Sequence, residues 1–281
     1  MLNEKALRYI DWEKLSHAYN SAYDVPFQIR ALTSKDKELR EKALSKLYSN
    51  IIHQGTRYEA TSYTIPFFYQ LLSSTDTPDK HEIVELLSYL AVGYPDEYVA
   101  NGLNAFVFRQ DSQEHEVKCY NAVQNGVCIL VTFLGSEDIQ LRIATIYILS
   151  LFPENSAKTL PLLAVHLSKA SNAVEIVNLI FTIGMLADAD VLLDLNLHSF
   201  LSHHSEMVRV LTAFALARDF ISQDIVDILA NAIPLLEELA KQVYYKLWYI
   251  FQSVENYIDV ILSRVKTPNK DLIILELQQK L

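Results

Sequence analysis

Glycine and proline are scarce in this 281-residue chain, with six and eight copies. So little turn-forming residue disfavours a β architecture of many short strands. It suits helices joined by short connections. Strict alternation of apolar and polar residues is rare. Runs of Lys and Arg are missing as well. The net charge is −10, and acidic residues outnumber basic ones in each third of the chain. A phosphate-binding protein needs clustered cations, so no nucleic-acid partner is expected. An acidic surface suits a protein partner of basic character. No uninterrupted apolar run reaches membrane-spanning length, the longest being broken by Arg142, Glu175 or Asp188. No membrane association is expected. The start, Met1 to Leu15, is charged and amphipathic without an apolar signal core. Two cysteines, Cys119 and Cys128, lie nine positions apart in a helical stretch, which sets them too far apart to bridge. Buried free thiols and a cytoplasmic location are the expectation.

What the sequence has in quantity is apolar residues at helical spacing. Leu39, Ala43, Leu47 and Ile51 form one stripe, Ile83, Leu86, Leu87 and Leu90 a second, and Val208, Leu211, Ala215 and Leu216 a third. Polar punctuation separates them at Thr33-Ser34, Ser73 to Asp76, Tyr94 to Asp96, Gly135-Ser136, Phe152-Pro153, Ser171-Asn172 and Thr267 to Asn269. One continuous domain over 1–281 is expected.

Three segments share a pattern: Ser34-Lys35-Asp36 with Leu39-Arg40, Ser136-Glu137-Asp138 with Leu141-Arg142, and His204-Ser205-Glu206 with Val208-Arg209. Each has a capping residue, an aliphatic residue three later, then Arg, then a small residue and Leu. The aliphatic and Leu positions share a buried face. The Arg reaches back to Asp36 or Asp138, or across to an adjacent repeat. An identical role at three places marks these arginines as structural. The pattern resembles the HEAT-repeat family, in which D-x-x-[VL]-R-x-x-A is typical. The resemblance implies an all-α fold, a right-handed α-α superhelix (α-solenoid) of HEAT-like helix pairs, related to armadillo-like solenoids. Such solenoids mostly bind proteins. The intervening stretch Ala157 to Ala187 lacks the Arg.

The N-terminal stretch runs Trp12-x-x-Leu15-x-His17-Ala18-Tyr19, Asp24-Val25-Pro26 and, later, His53-Gln54-Gly55-Thr56-Arg57-Tyr58-Glu59 with Ile65-Pro66-Phe67. It is similar to a group of bacterial HEAT-like proteins, some of them encoded beside toxin genes. That likeness implies an immunity or inhibitor protein.

The segment His53 to Glu59 is the most chemically varied. Gly55 can take positive φ and end the preceding helix. His53, Arg57, Tyr58 and Glu59 can cluster with His17 and Asp24 from the preceding helix pair. Such a cluster is either an enzyme or small-ligand site or an inter-helix network fixing the first two repeats, and the network is favoured. His203-His204, adjacent on a helix, point about 100° apart. His81 and Glu85 have no third ligand, so no metal is expected. No G-x-S-x-G, P-loop or dinucleotide motif occurs, and no cofactor is expected. Tyr245 and Trp248 sit on a helix ringed by aromatics, and Tyr63, Phe67, Phe68 and Tyr69 pose the same question earlier. Exposed rings of this kind make interface anchors.

Overall fold

The computed structural model describes residues 2–98, 102–217 and 222–232. The helices are α1 (Glu4–Tyr9), α2 (Val25–Ala31), α3 (Lys37–Asn50), α4 (Glu59–Ser73), α5 (Lys80–Val92), α6 (Ala105–Asp111), α7 (Glu114–Gln124), α8 (Val127–Leu130), α9 (Ile139–Leu149), α10 (Ser156–Leu167), α11 (Ala173–Leu186), α12 (Ala189–Asp194), α13 (Glu206–Ala217) and α14 (Gln223–Ala232). Among the described residues the architecture is all-α, helices packing on their neighbours along the chain. Two antiparallel hairpins interrupt it. β1 (Ser16–His17) pairs with β2 (Asn20–Ser21), with His17 opposite Asn20. β3 (Ile52–His53) pairs with β4 (Thr56–Arg57), with His53 opposite Thr56.

The chain divides into two compact units, Met1–Pro95 with Asn104–Phe152, and Asp96–Leu103 with Pro153–Leu281. In the first, α5 packs against α4, α7 and α9, and α4 against α7. Ile83, Val84, Leu86, Leu87 and Leu90 of α5, Phe68, Leu71 and Leu72 of α4, Tyr120 of α7 and Ile148 of α9 are all buried where these helices pack. Full burial of each such side chain stabilises by about 1.5–3 kcal/mol. In the second unit α11 packs on α10 and α13, and α13 on α14. Ten of the fourteen residues of α11 and ten of the twelve of α13 are buried, which explains why their sequences are mostly apolar.

The three repeat segments adopt one geometry. Asp36 caps α3, its side chain accepting from the Glu38 and Leu39 amides, and Asp138 caps α9 in the same way. Just upstream, the amide of Asp36 donates to Ser34 Oγ and that of Asp138 to Ser136 Oγ, each at 3.1 Å. Arg40 Nη1 then donates to the carbonyls of Ser34 (2.8 Å) and Lys35 (3.2 Å). Arg142 does so to Ser136 (2.7 Å) and Glu137 (3.2 Å), and Arg209 to His203 (2.8 Å) and His204 (3.2 Å). The arginines thus grip loop carbonyls rather than reaching back to Asp36 or Asp138, whose Oδ1 atoms already serve two amides each. Arg40 also reaches across to Asp79 at 2.7 Å, at the start of α5. The third segment aligns one residue earlier than its sequence suggests. His203 stands where Ser34 and Ser136 stand, its Nδ1 accepting from the Ser205 amide at 3.1 Å. His203 and His204 therefore lie in the loop ahead of α13, not on a helix, with ring centroids 4.1 Å apart.

Other expectations need correction. Gly55 does not end α3, which stops at Asn50. It forms, with Gln54 (φ 50°), the two positive-φ centres of a tight turn between β3 and β4 (Gly55 φ 77°). Leu39 is 47% exposed, because α3 buries only the narrow stripe of Ala43, Leu47 and Asn50. Cys119 is buried but Cys128 is exposed, and both are free. The chain turns between them at Gln124 to Gly126, where α7 ends and α8 begins. The stretch Glu114–Gly135 is, by length and composition, apolar enough to cross a membrane. It is broken at that same turn, and Cys119, Tyr120 and Val123 belong to the core. Of the aromatic run in α4, Phe67, Phe68 and Tyr69 are core, and Tyr63 is exposed.

Candidate functional site

The polar cluster around the two hairpins separates into an inner lattice and an outer face. His17, 7% exposed, places Nε2 3.0 Å from Asp24 Oδ1 and accepts the Tyr19 amide on Nδ1. The neutral ring with its proton on Nε2 satisfies both bonds. Asp24 Oδ2 accepts from Gln28 Nε2 (2.7 Å) and Asn50 Nδ2 (3.0 Å), and the Ala18 amide donates to the Asn50 carbonyl. His17 and Asp24 therefore bind the first hairpin to α2 and α3.

Arg57 is buried too, at 4% exposure. Its Nη1 donates to the Gly55 carbonyl at 2.6 Å and pairs with Glu116 Oε1 at 3.2 Å, while the guanidinium lies 5.9 Å from the Phe108 ring centroid. Glu116 Oε2 accepts the Gln113 amide and caps α7. Arg57 thus ties the second hairpin to α6 and α7. Gly93, at the end of α5 with φ 86°, lies so close beneath it that any side chain would strike the Arg57 guanidinium and the Gly55 carbonyl. Cys119 sits beside this pair, and burial pushes its thiol up to about 12, with Arg57 opposing and Glu116 adding to the shift.

The outer face consists of Tyr19, His53, Tyr58 and Glu59. The Tyr19 ring, 57% exposed, meets His53 edge-on at 5.5 Å. Tyr58 is half-buried, and its backbone amide donates to Thr61 Oγ1 as α4 begins. Burial, then the neighbouring Tyr19 phenol, raises the Tyr58 hydroxyl above its ordinary value. Glu59 is exposed, with Ser16 Oγ of the first hairpin 3.4 Å away. His53, Arg57 and Glu59 thus have separate partners and do not converge. Tyr19, which the sequence reading left out of the site, faces outward because the hairpin turn lifts it there. Asn20 at φ 87° closes that turn.

From Glu59 the exposed stripe of α4 continues one turn on to Tyr63, then Pro66 and Gln70. Tyr63, Pro66, Phe67 and Gln70 line a cleft of about 490 Å³ with Lys5, Tyr9 and Ile10 of the α1 region. Tyr9 is 91% and Tyr63 45% exposed. A second cavity, about 330 Å³, lies between α3 and α5, with the Arg40–Asp79 pair in its wall. Neither contains His17, His53, Arg57 or Glu59. Among the described residues no group of three or more His, Cys, Asp or Glu is placed to hold a metal. Tyr245 and Trp248 lie outside the described residues.

No family model matches the chain, and no curated protein matches it. Among solved structures it is similar to an engineered protein, at 18% identity over 86% of this chain and 97% of that one, with a TM-score of 0.47. It is also similar to a designed armadillo repeat protein solved in complex with the peptide (KR)4, at 19% identity over 83% and 99%, with a TM-score of 0.46.

Proposed function

We propose that this chain is a non-enzymatic protein-binding solenoid that engages its partner through the first two repeats, and more specifically an immunity or inhibitor protein that masks a basic toxin domain. The observation that carries the reading is the exposed stripe of α4. It joins the Tyr19–His53–Tyr58–Glu59 face to the aromatic cleft of Tyr9 and Tyr63, so exposed rings of α1, the first hairpin and α4 flank it. Tyrosines of this kind supply most of the affinity in many interfaces. The alternative, an enzyme or small-ligand site at His53, Arg57 and Glu59, has less support, since Arg57 is turned inward to Glu116 and Glu59 outward to solvent.

The test uses the immobilised chain and extract from the native host. The captured partner is identified and titrated against wild type and the Tyr9→Ser/Tyr63→Ser variant. The variant is expected to bind at least about 30-fold more weakly, the scale of a hot-spot loss. An unchanged affinity overturns the assignment of this face. A captured protein that is acidic, or without toxicity that the chain relieves, overturns the inhibitor reading.

A further inference from the structure

We infer that the outer face of Tyr19, Tyr58 and Glu59, with His53 beside Tyr19, is a receptor for a single basic side chain, an arginine or lysine, of the protein partner. The inference rests on the protein-binding reading above and names the chemistry of its anchor.

Three features meet at one place. The first is an electron-rich wall. Tyr19 projects from one hairpin, 57% exposed, and stands against His53 of the other at 5.5 Å. The Tyr58 phenol, half-buried beside this wall, is raised above its ordinary value by burial first and then by Tyr19. A cation lying over tyrosine faces is attracted by the ring quadrupole, and paired rings strengthen the effect.

The second is an uncommitted carboxylate. Glu59 begins α4 and makes no ion pair among the described residues, its polar contact being the long one to Ser16 Oγ. The neighbouring ammonium, Lys118, is held by Glu114 at 2.7 Å. On that ammonium Glu114 acts first and Glu59 last, after Tyr63. The carboxylate therefore has acceptor capacity to spare for a guanidinium fork or an ammonium.

The third is rigidity. The hairpins that carry Tyr19 and His53 are held from behind by the His17–Asp24–Asn50 bonds and by Arg57–Glu116. The rings are thus positioned before any partner arrives, which spares the entropy of ordering them. Nearly balanced charges in the first third of the chain leave this local arrangement, rather than a general acidic field, as the source of selectivity.

The probe is N-acetyl-Gly-Arg-Gly-amide, with the Glu and Lys analogues alongside, followed by NMR of the tyrosine and histidine ring signals of the full chain. The Arg and Lys peptides are expected to shift Tyr19, Tyr58 and His53 saturably in the millimolar range, and the Glu peptide is not. Glu59→Gln should weaken binding up to about fivefold, and Tyr19→Ser should remove the His53 shift. Both positions are exposed, so folding is retained, which the unchanged signals of buried residues verify. Absence of saturable shifts, equal response to the Glu peptide, or no effect of Glu59→Gln overturns the inference. The native partner separates the two levels. If Tyr9→Ser/Tyr63→Ser abolishes its binding while Glu59→Gln and Tyr19→Ser leave it untouched, the basic-side-chain receptor is wrong and the protein-binding reading stands. If none of these variants changes it, the face itself is wrong.

Discussion

Deleting the Arg57 side chain separates an architectural role from a binding one. The Arg57 side chain is 5% exposed and that of Glu116 17%, with 3.2 Å between them. Arg57→Ala leaves the Glu116 carboxylate largely buried without its cation and the Gly55 carbonyl without its charged donor. Breaking a buried pair by removing one partner costs roughly 3–5 kcal/mol. Glu116 keeps its bond from the Gln113 amide and has some access to water, so the lower end, about 3 kcal/mol, is expected. Glu116→Gln retains an acceptor for that amide and should cost about 1–2 kcal/mol. If the two side chains act as one tie, the double variant should be less destabilised than the sum of the singles by about 1–2 kcal/mol. Denaturant unfolding supplies the totals. Native-state hydrogen exchange at the amides of Thr56, Arg57 and Cys119 to Val123 reports whether the loss is local to the hairpin and α7. A loss below about 1 kcal/mol for Arg57→Ala, or strict additivity with Glu116→Gln, would refute the assignment. Partner affinity per folded molecule should fall only modestly in Arg57→Ala, since no part of that side chain reaches the outer face and only the pre-ordering of the His53 hairpin is lost.

Arg40→Ala, Arg142→Ala and Arg209→Ala should each lower stability by roughly 1–3 kcal/mol, Arg40 losing its pair with Asp79 as well as its loop carbonyls. Unchanged thermal melting of all three would end the structural reading. A thiol reagent at neutral pH should label one cysteine, Cys128, in the folded chain and two after unfolding, since Cys119 is buried with its thiol pushed up to about 12. Rapid labelling of both in native conditions would contradict the packing of α7. His203 is shifted below its ordinary value of 6.5 by burial first and then by His204, with Arg209 adding. The folded state thus binds its proton more weakly than the unfolded chain. The associated stability is full above about pH 6.5 and falls as pH drops through that value toward the lowered one. His203→Ser, which supplies the hydroxyl found at Ser34 and Ser136, should flatten the pH dependence of melting between pH 7 and 5, and an unaltered dependence would disprove it.

The helices that carry a complete local signal were legible from sequence alone. At α3, α9 and α13 the cap, the aliphatic position and the Arg all fall within one turn and a half, so spacing suffices to identify them. The hairpins were not legible, because two residues per strand are too few to show alternation. What marks them is turn chemistry at Asn20 and Gln54-Gly55. The site was half legible. His17 with Asp24 and His53 with Glu59 were drawn to the right region by sequence distance, but which of them face inward depends on partners far away. Arg57 meets Glu116 across 59 positions, and that contact is invisible to any local pattern. Tyr19 was passed over for the converse reason, since nothing in its neighbours distinguishes a turn-tip ring from a core one.

The arginine grip on the repeat loops has an evolutionary corollary. Its hydrogen bonds end on main-chain oxygens, which every amino acid possesses. The residue whose carbonyl takes the second bond is Lys35 in one loop, Glu137 in another and His204 in the third. One geometry thus displays a cation, an anion and an imidazole at equivalent stations. Mutation can rewrite the chemical lettering of these loops while the frame that spaces them is inherited intact. In such a chain, drift in what is recognised need not be accompanied by drift in shape.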